Sequence, residues 1–342
     1  MGGGCATPPP GARAVIRPGR DEDEAAYIRL IGEAWAEHPG CVFDVDAELP
    51  ELHALAAWFA GLGGALWVAE EAGAILGMVG VVPDEGGAWE IRKMYVDRAA
   101  RGTGLAQRLL AAAEAHAAAR GARELFLWTD TRFTRAHRFY EARSFVRDGP
   151  LRTLADLSNT IEYRYAKPLG RCAVRALDAA GAAAAVRRLS EVLVACVADG
   201  AAVGFLRAPT RERAEAFWQD TASRVADGRA ALFAGWSEGV LAGTVTLTLD
   251  MPENQPHRAG IATMLVHPAF RRRGLGRALL RAAEEAARAA GRRLLVLDTR
   301  EGEPSEALYR AAGWTAAGRI ADYALSTDGT PHATVIYVRS LA

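Results

Sequence analysis

The sequence predicts an α/β fold built on a mixed α+β sheet and occurring twice in tandem, and three observations predict it. The same order of elements runs through the chain two times, each half holds one apolar hairpin, and each half joins a strand to a leucine-faced helix through an Arg/Gly loop. At 342 residues the chain exceeds a usual single core, since roughly 150 residues make one domain. Two domains are therefore expected, over 13–168 and 172–342, behind an arm over 1–12.

The elements follow in order. The arm, MGGGCATPPPGA, is small residues, Gly and Pro, without the charged and apolar regions of a signal peptide, and is expected to be flexible. Ala6 stands where a myristoylation pattern asks for Ser or Thr, so lipidation is not expected. Each half opens on an extended segment, AVIRP at 14–18 and AVRAL at 173–177, followed by helix-period regions over about 21–61 and 178–226. ALWVAEEAGAILGMVGVV (65–82) then aligns without gaps on ALFAGWSEGVLAGTVTLT (231–248). Apolar arms around a Glu/Gly centre read as strand, tight turn and strand.

The third block is WEIRKMYVDRAARGTGLAQRLLAAAEAHAAARG against GIATMLVHPAFRRRGLGRALLRAAEEAARAAG. Leu105, Leu109 and Leu110 fall on one helix face and Gly121 stops that helix; Leu275, Leu279, Leu280 and Gly291 do the same in the second half. A buried strand comes next, LFLW at 125–128 and LLVLD at 294–298, and a short helix closes each unit with Tyr140 or Tyr309. KPLGRC at 167–172 holds the Pro/Gly punctuation between the halves, which places the boundary near Leu169.

The Arg/Gly loop is the likeness with chemical content. A helix N-terminus carries about four backbone N–H groups without partners and a partial positive charge, so it suits an anion. Gly102 and Gly104, or Gly274 and Gly276, let phosphate oxygens approach the amides. Arg101 flanks the first loop, and Arg271, Arg272, Arg273 and Arg277 flank the second. An RGxG string alone is as readily a structural turn, and only its place between a strand and a leucine-faced helix, twice, argues for a pyrophosphate seat. A dinucleotide fold is disfavoured because GTGLAQ and GLGRAL lack the third small residue of GxGxxG.

Composition bounds the partners. Lys plus Arg and Asp plus Glu both total 41, so no overall field attracts nucleic acid or anionic lipid. No run approaches the roughly 18 apolar residues that cross a bilayer. Cys5, Cys41, Cys172 and Cys196 form no CxxC or metal spacing, and a reduced, cytoplasmic setting is expected. The histidines show no HExxH; His38, His267 and His332 each adjoin a Pro, and no metal is expected. GWSEG at 235–239 matches GxSxG formally, but Ser237 leads into the β-rich VLAGTVTLTL rather than a helix, which disfavours a serine hydrolase. Trp35, Trp58 and Trp218 fall in the early helical regions, where core packing is the simpler role.

With a strand-end Val, an RGxG loop, a leucine-faced helix and a tyrosine-bearing short helix in both halves, nearly the whole chain resembles the GNAT superfamily of N-acetyltransferases. The second half, with PENQPHRA, MLVHPAFRRRGLGRALL and LLVLDT, is similar to the tabtoxin-resistance type. The superfamily's loop pattern is Arg or Gln, two residues, Gly, one residue, Gly or Ala. RRRGLG at 271–276 matches it, and AARGTG at 99–104 puts Ala99 in the first place.

The resemblance implies acetyl-CoA as cosubstrate and direct attack on its thioester by an amine of a small molecule. The cosubstrate would be held by Met94, Tyr95, Val96 and the segment Arg101, Gly102, Thr103, Gly104, Leu105, Ala106, and in the second half by Leu265, Val266, Arg271, Arg272, Arg273, Gly274, Leu275, Gly276 and Arg277. Three tasks follow: a base for the ammonium, a donor for the oxyanion and an acid for the thiolate. The resemblance assigns the acid to Tyr140 and Tyr309, the oxyanion donor to the strand ends Met94–Val96 and Leu265–Val266, and the base to Glu90. Gly260 occupies the base position of the second half and Thr263 replaces an expected Lys, leaving Asp298 as the remaining carboxylate. Either Asp130 or Thr129 is its counterpart in the first half, and a strand-end cap is an equal reading for each Asp. One unit catalysing while the other binds acyl-CoA or braces the fold, and a non-catalytic acyl-CoA sensor, are the rival readings. The acceptor is not readable, and oligomeric state stays open between monomer and homodimer.

Overall fold

The computed structural model describes residues 9–326 and 328–341; the first eight residues of the arm, Cys5 and Ala6 among them, lie outside the described residues. The chain divides into two compact units, one of Met1–Arg138 with Gly149–Ala166 and one of Phe139–Asp148 with Lys167–Ala342. Each is a mixed α/β sheet with helices, so the fold class is as the sequence reads.

The first half contains β1 (Val15–Pro18), α1 (Glu24–Ala36), α2 (Val45–Glu48), α3 (Leu55–Gly61), β2 (Ala65–Glu71), β3 (Ala74–Pro83), β4 (Ala88–Val96), α4 (Leu105–Ala119), β5 (Glu124–Asp130), α5 (Thr134–Glu141), β6 (Val146–Arg147), β7 (Arg152–Thr153) and β8 (Ile161–Pro168). Residues 139–148, which hold the end of α5 and all of β6, group with the second unit. The first unit's strands stand in the order β1-β2-β3-β4-β5-β8, with β7 on β8. β1–β2, β2–β3, β3–β4 and β7–β8 pair antiparallel, and β4–β5 pairs parallel.

Local chemistry explains the elements. Ala72 and Gly73 turn the β2–β3 hairpin with φ of 51° and 81°, the two positive values a type I′ turn needs. Leu105, Leu109, Leu110, Ala113 and Ala117 make the buried stripe of α4. Gly121 ends it at φ 78°, where its amide bonds Ala118 O at 3.0 Å and that of Ala122 bonds Ala117 O at 3.0 Å, a Schellman stop. On the opposite face Tyr27, Ile31, Leu52, Leu55 and Phe59 pack with Met78. Gly80 admits the Phe59 ring: a Cβ there would stand 2.0 Å from its Cζ.

The second unit continues with β9 (Ala173–Leu177), α6 (Ala179–Ala198), α7 (Arg211–Ala226), β10 (Ala230–Ser237), β11 (Val240–Thr248), β12 (Arg258–Val266), α8 (Leu275–Ala289), β13 (Leu294–Arg300), α9 (Pro304–Ala311), β14 (Thr315–Leu325) and β15 (Pro331–Ser340). Its strands stand in the order β9-β10-β11-β12-β13-β15-β14. Cores form on both faces of this sheet, one under α6 and α7 around Leu189, Trp218 and Trp236, and one under α8 around Leu279, Leu297 and Tyr337. Trp218 is thus a core residue. Ser237 is the last residue of β10, fully buried, and Glu238–Gly239 turn directly into β11. A hairpin, not a strand-to-helix elbow, holds the GxSxG string.

Candidate active site

Both units contain a fork. β4 pairs with β5 only through Ala88–Glu124, Trp89–Leu125 and Glu90–Phe126, and β12 pairs with β13 only through Arg258–Leu294, Ala259–Leu295 and Gly260–Val296. Past these residues the parallel strands part. The cause lies on the other edge of each strand, where the β3–β4 register slips between Met78–Tyr95 and Gly80–Arg92, and the β11–β12 register slips between Thr244–Leu265 and Thr246–Ala262. A bulge of this kind bends the strand and increases its twist. Lys93 and Thr263 occupy the two bulges at φ of 53° and 46°. A left-handed backbone costs a non-glycine residue about 1–2 kcal/mol, a strain that concentrates where function requires it. The β4–β5 ladder ends at Glu90–Phe126, six residues before the end of β4 at Val96.

An open helix N-terminus follows each fork. Gly104 and Gly274 are the N-caps of α4 and α8, at φ of 86° and 92°. A Cβ added to Gly102, Gly104 or Gly274 would meet nothing within 4 Å. The first helical donations are Arg108 N to Gly104 O and Ala278 N to Gly274 O, each at 3.1 Å. The amides of 105–107 and 275–277 therefore precede the first helical hydrogen bond, at the positive end of the helix.

The backbone corrects the alignment of the two loops. Lys93 and Thr263 share the bulge, and Gly104 and Gly274 share the cap, so Arg101 stands with Arg271 and Ala106 with Gly276. The first loop then reads Arg101, two residues, Gly104, one residue, Ala106, the complete pattern; Ala99 is not in the arginine's place. The glycine strings misled because the left-handed site before the cap is Gly102 at φ 81° in one loop and Arg272 at φ 64° in the other.

The arginines divide by task. Arg101 donates from Nε to Val96 O at 3.3 Å and from Nη1 to Glu37 at 2.7 Å. Arg271 repeats both contacts, to Val266 O at 3.2 Å and to Asp199 at 2.5 Å. Glu37 and Asp199 are the C-caps of α1 and α6, so each arginine ties a strand end to a helix end. The Arg101 guanidinium holds the Glu37 carboxyl below its ordinary range. Arg273 lies over the Phe270 ring and bonds Glu238 at 3.2 Å. Arg272 and Arg277 are exposed and form no ion pair among the described residues. Thr103 bonds Ala100 O at 2.7 Å, and Leu105 and Leu275 are buried, which leaves their amides as what they can offer a ligand.

Tyr309 donates to Met264 Sδ at 3.7 Å, beside the bulge of β12. Burial and the nearby Asp298 charge push its phenol up to about 12, so it remains protonated near neutrality. Asp298 itself is exposed on β13, opposite Ile336 of β15. Tyr140 is buried on α5 with Phe139 and Phe145 rings 5.3 Å and 5.5 Å from its own. Neither Asp130 nor Thr129 corresponds to Asp298: Phe126 faces Glu90 as Val296 faces Gly260, which puts Trp128 at that position, Thr129 with Thr299 and Asp130 with Arg300.

Around its fork the first unit gathers further groups, of which the sequence reading had not singled out Arg92, Arg132, Arg152 and Glu162. Glu90 sits where β4 and β5 part, with Arg92 donating from Nε at 2.6 Å. Arg92 lies 5.6 Å from the Trp58 ring centroid. Trp35 Nε1 donates to Tyr95 Oη at 2.9 Å, and burial with the charges of Glu162, Cys41 and Asp130 pushes that phenol up to about 12. Asp130 is gripped by Arg132, and Glu162 on β8 by Arg152, which lies 4.2 Å from the Trp128 ring centroid. In the second unit Gly260, Ala262, Thr263 and Leu265 stand for Glu90, Arg92, Lys93 and Tyr95. Thr131 N bonds Ile161 O as Glu301 N bonds Ala333 O, so Thr334 stands for Glu162. Its hydroxyl bonds Thr299 O at 2.8 Å.

A family model described as the acetyltransferase (GNAT) family matches residues 29–145 and 205–314. Among curated proteins, an uncharacterized N-acetyltransferase from the hisH-hisA intergenic region of Azospirillum brasilense is 38% identical over 107 residues, 31% of this chain and 62% of that protein. The mycothiol acetyltransferase of Thermobispora bispora is 33% identical over 150 residues, 41% of this chain and 48% of that protein. The chain thus spans 62% and 48% of the lengths of these relatives. Among solved structures, a GNAT-family acetyltransferase from Staphylococcus aureus Mu50 is 20% identical with a TM-score of 0.40, over 46% of this chain and 99% of that one. A Salmonella typhimurium structure, described as a candidate acetyltransferase with its cofactor acetyl-CoA, is 21% identical with a TM-score of 0.42, over 50% of this chain and 94% of that one. No helix among the described residues is long and apolar enough to cross a membrane.

Proposed function

The chain belongs to the acetyltransferase (GNAT) family, and from that premise we propose that it is an acetyl-CoA-dependent N-acetyltransferase acting on an amine of a small molecule. The observation that carries this reading is the strand fork leading into an open, glycine-capped helix N-terminus, present in both units.

In this reading the amides at 102–107 and 272–277 hold the diphosphate of CoA, with Arg272 and Arg277 adding charge in the second unit. The strand end Met94–Val96, past the last β4–β5 pair, and its equivalent at Leu265–Val266 offer N–H groups to the developing oxyanion. Tyr140 and Tyr309 are proton donors for the thiolate. A carboxylate at the first fork, Glu90 on the sequence reading, relieves the ammonium of a proton before it attacks the thioester directly.

The transfer is assigned to the first unit. Its fork is lined by Glu90, Tyr95, Asp130 and Glu162, whereas the second fork has Gly260, Leu265, Arg300 and Thr334 at those positions and keeps Asp298 alone. The second unit then binds acyl-CoA through its more arginine-rich loop. An acetyl-CoA consumption screen on the intact chain, over amino acids, polyamines, aminoglycosides and peptide N-termini, tests the reading. At least one amine is expected to release CoA in step with its own acetylation; binding of CoA with no transfer to any amine would leave a sensor.

A further inference from the structure

This inference rests on the transfer reading and concerns the base. Around the first fork three carboxylates are each held by an arginine: Glu90 by Arg92, Asp130 by Arg132 and Glu162 by Arg152. They differ in what they keep available. Arg132 Nε lies 2.9 Å from both oxygens of Asp130, and the Arg132 amide adds a bond to Oδ1 at 2.8 Å; with His137 on the Asp130 carbonyl at 2.9 Å, this carboxylate is a structural tie. Glu90 lies at the closed end of the fork, the last residue of β4 that still pairs with β5.

Glu162 lies at the open end. It follows Ile161, whose carbonyl meets the Thr131 amide at 2.8 Å just past the last residue of β5. Both Arg152 contacts, at 2.8 Å and 2.5 Å, fall on Oε2, and Oε1 accepts no hydrogen bond among the described residues. Across the fork its charge acts on Tyr95, within the Met94–Val96 segment assigned to the oxyanion.

We infer that Glu162 takes the proton from the acceptor ammonium in the first unit, with Arg152 as its positioning residue, and that Glu90 does not. Oε1 accepts one ammonium proton. The freed lone pair forms the C–N bond, the C–S bond breaks with its electrons on sulfur, and a second nitrogen proton ends on the thiolate; the proton on Glu162 is released to solvent. The groups that face Glu162 are Arg152 from β7, Asp130 from β5, and Glu90 and Tyr95 from β4, while Arg164 on its own strand is turned to Glu124 at 2.6 Å. Burial raises the Glu162 carboxyl above its ordinary range; Arg152 pulls against this, and Asp130 and Glu90 push with it. A carboxylate moved toward neutrality is the more effective base.

The test uses the amine that turns over fastest in the screen, with CoA affinity and melting temperature as checks on folding. Glu162→Gln is expected to lower kcat by about 10²–10⁴, the usual worth of a general base, and to flatten the acid limb of the pH profile. Glu162→Asp restores part of both, and Glu90→Gln retains the limb. A Glu162→Gln enzyme with its limb and kcat intact, or a limb lost in Glu90→Gln, overturns the inference and leaves the transfer reading standing. If no amine turns over, the transfer reading has failed, and carbon NMR of glutamate-labelled protein still decides the electrostatic premise. The carboxyl signal missing from Glu162→Gln should titrate above about 4.3, the unperturbed glutamate value; a midpoint there or lower overturns the inference.

Discussion

Replacing the N-cap glycines separates a phosphate seat from a plain turn. In Gly104→Ala and Gly274→Ala the new Cβ meets nothing within 4 Å, so packing adds no cost. The left-handed backbone, at φ of 86° and 92°, costs alanine about 1–2 kcal/mol, offset by about 0.4–1 kcal/mol from the stiffer unfolded chain. The net loss is about 1 kcal/mol, or roughly 2–4 °C in melting temperature for a domain of this size. Binding should suffer more. A charge-assisted hydrogen bond is worth about 1.5–3 kcal/mol, and a methyl group in the open space before the amides removes one or two of them. At about 1.4 kcal/mol per decade, each lost bond weakens CoA by roughly tenfold to a hundredfold. Calorimetric titration with CoA beside thermal unfolding reads both effects. A melting temperature that falls while CoA affinity stays unchanged in both variants would refute the reasoning and reduce the loops to turns.

Further outcomes follow from the same geometry. Tyr140→Phe is expected to lower turnover by roughly 10²–10⁴ with KM little changed, and Tyr309→Phe to leave most of it, as steady-state kinetics on the screened amine will report; the reverse order would move catalysis to the fork of β12 and β13. Arg272→Ala and Arg277→Ala each remove a guanidinium without an ion pair, so CoA affinity and its dependence on salt both decrease while stability stays within about 0.5 kcal/mol. Glu306 accepts from Tyr337 at 2.6 Å and from the Gly302 amide at 2.7 Å, and the Tyr337 bond first, then the amide, holds its carboxyl below the ordinary range. The stability it contributes is present above the unfolded value of about 4.3 and is lost as pH falls through the depressed folded value. Glu306→Gln should cost about 1–3 kcal/mol near neutrality and weaken the acid dependence of unfolding; an unchanged acid limb would show that this carboxylate is not among the groups responsible.

What the sequence made legible was local. The hairpin turns at Ala72–Gly73 and Glu238–Gly239, the leucine stripes of α4 and α8 and their glycine stops all depend on neighbours within a few residues, and all stand where the periodicity puts them. The bulges were not legible. Nothing in the residue types of Lys93 or Thr263 announces a left-handed backbone, and the fork they produce exists only once a second strand defines what β4 and β12 part from. The same dependence hid the loop register, where counting glycines equated Gly102 with Gly274 until the helix starts separated them. It also hid Trp128 at the position of Asp298, a relation set by lateral pairing. Glu162 escaped notice because its role comes from long-range company: Glu90 on β4, Asp130 on β5 and Arg152 on β7 lie within its field through the sheet, and no spacing in the chain records that.

The central claim is that two glycine-capped helix ends receive the diphosphate of CoA, and calorimetric titration of the intact chain with CoA tests it most directly. The account predicts heat saturating at two equivalents per chain and a higher melting temperature, since ligand at a hundred times its Kd stabilises by about 2.7 kcal/mol. No heat, and no shift in melting at millimolar CoA, would contradict it.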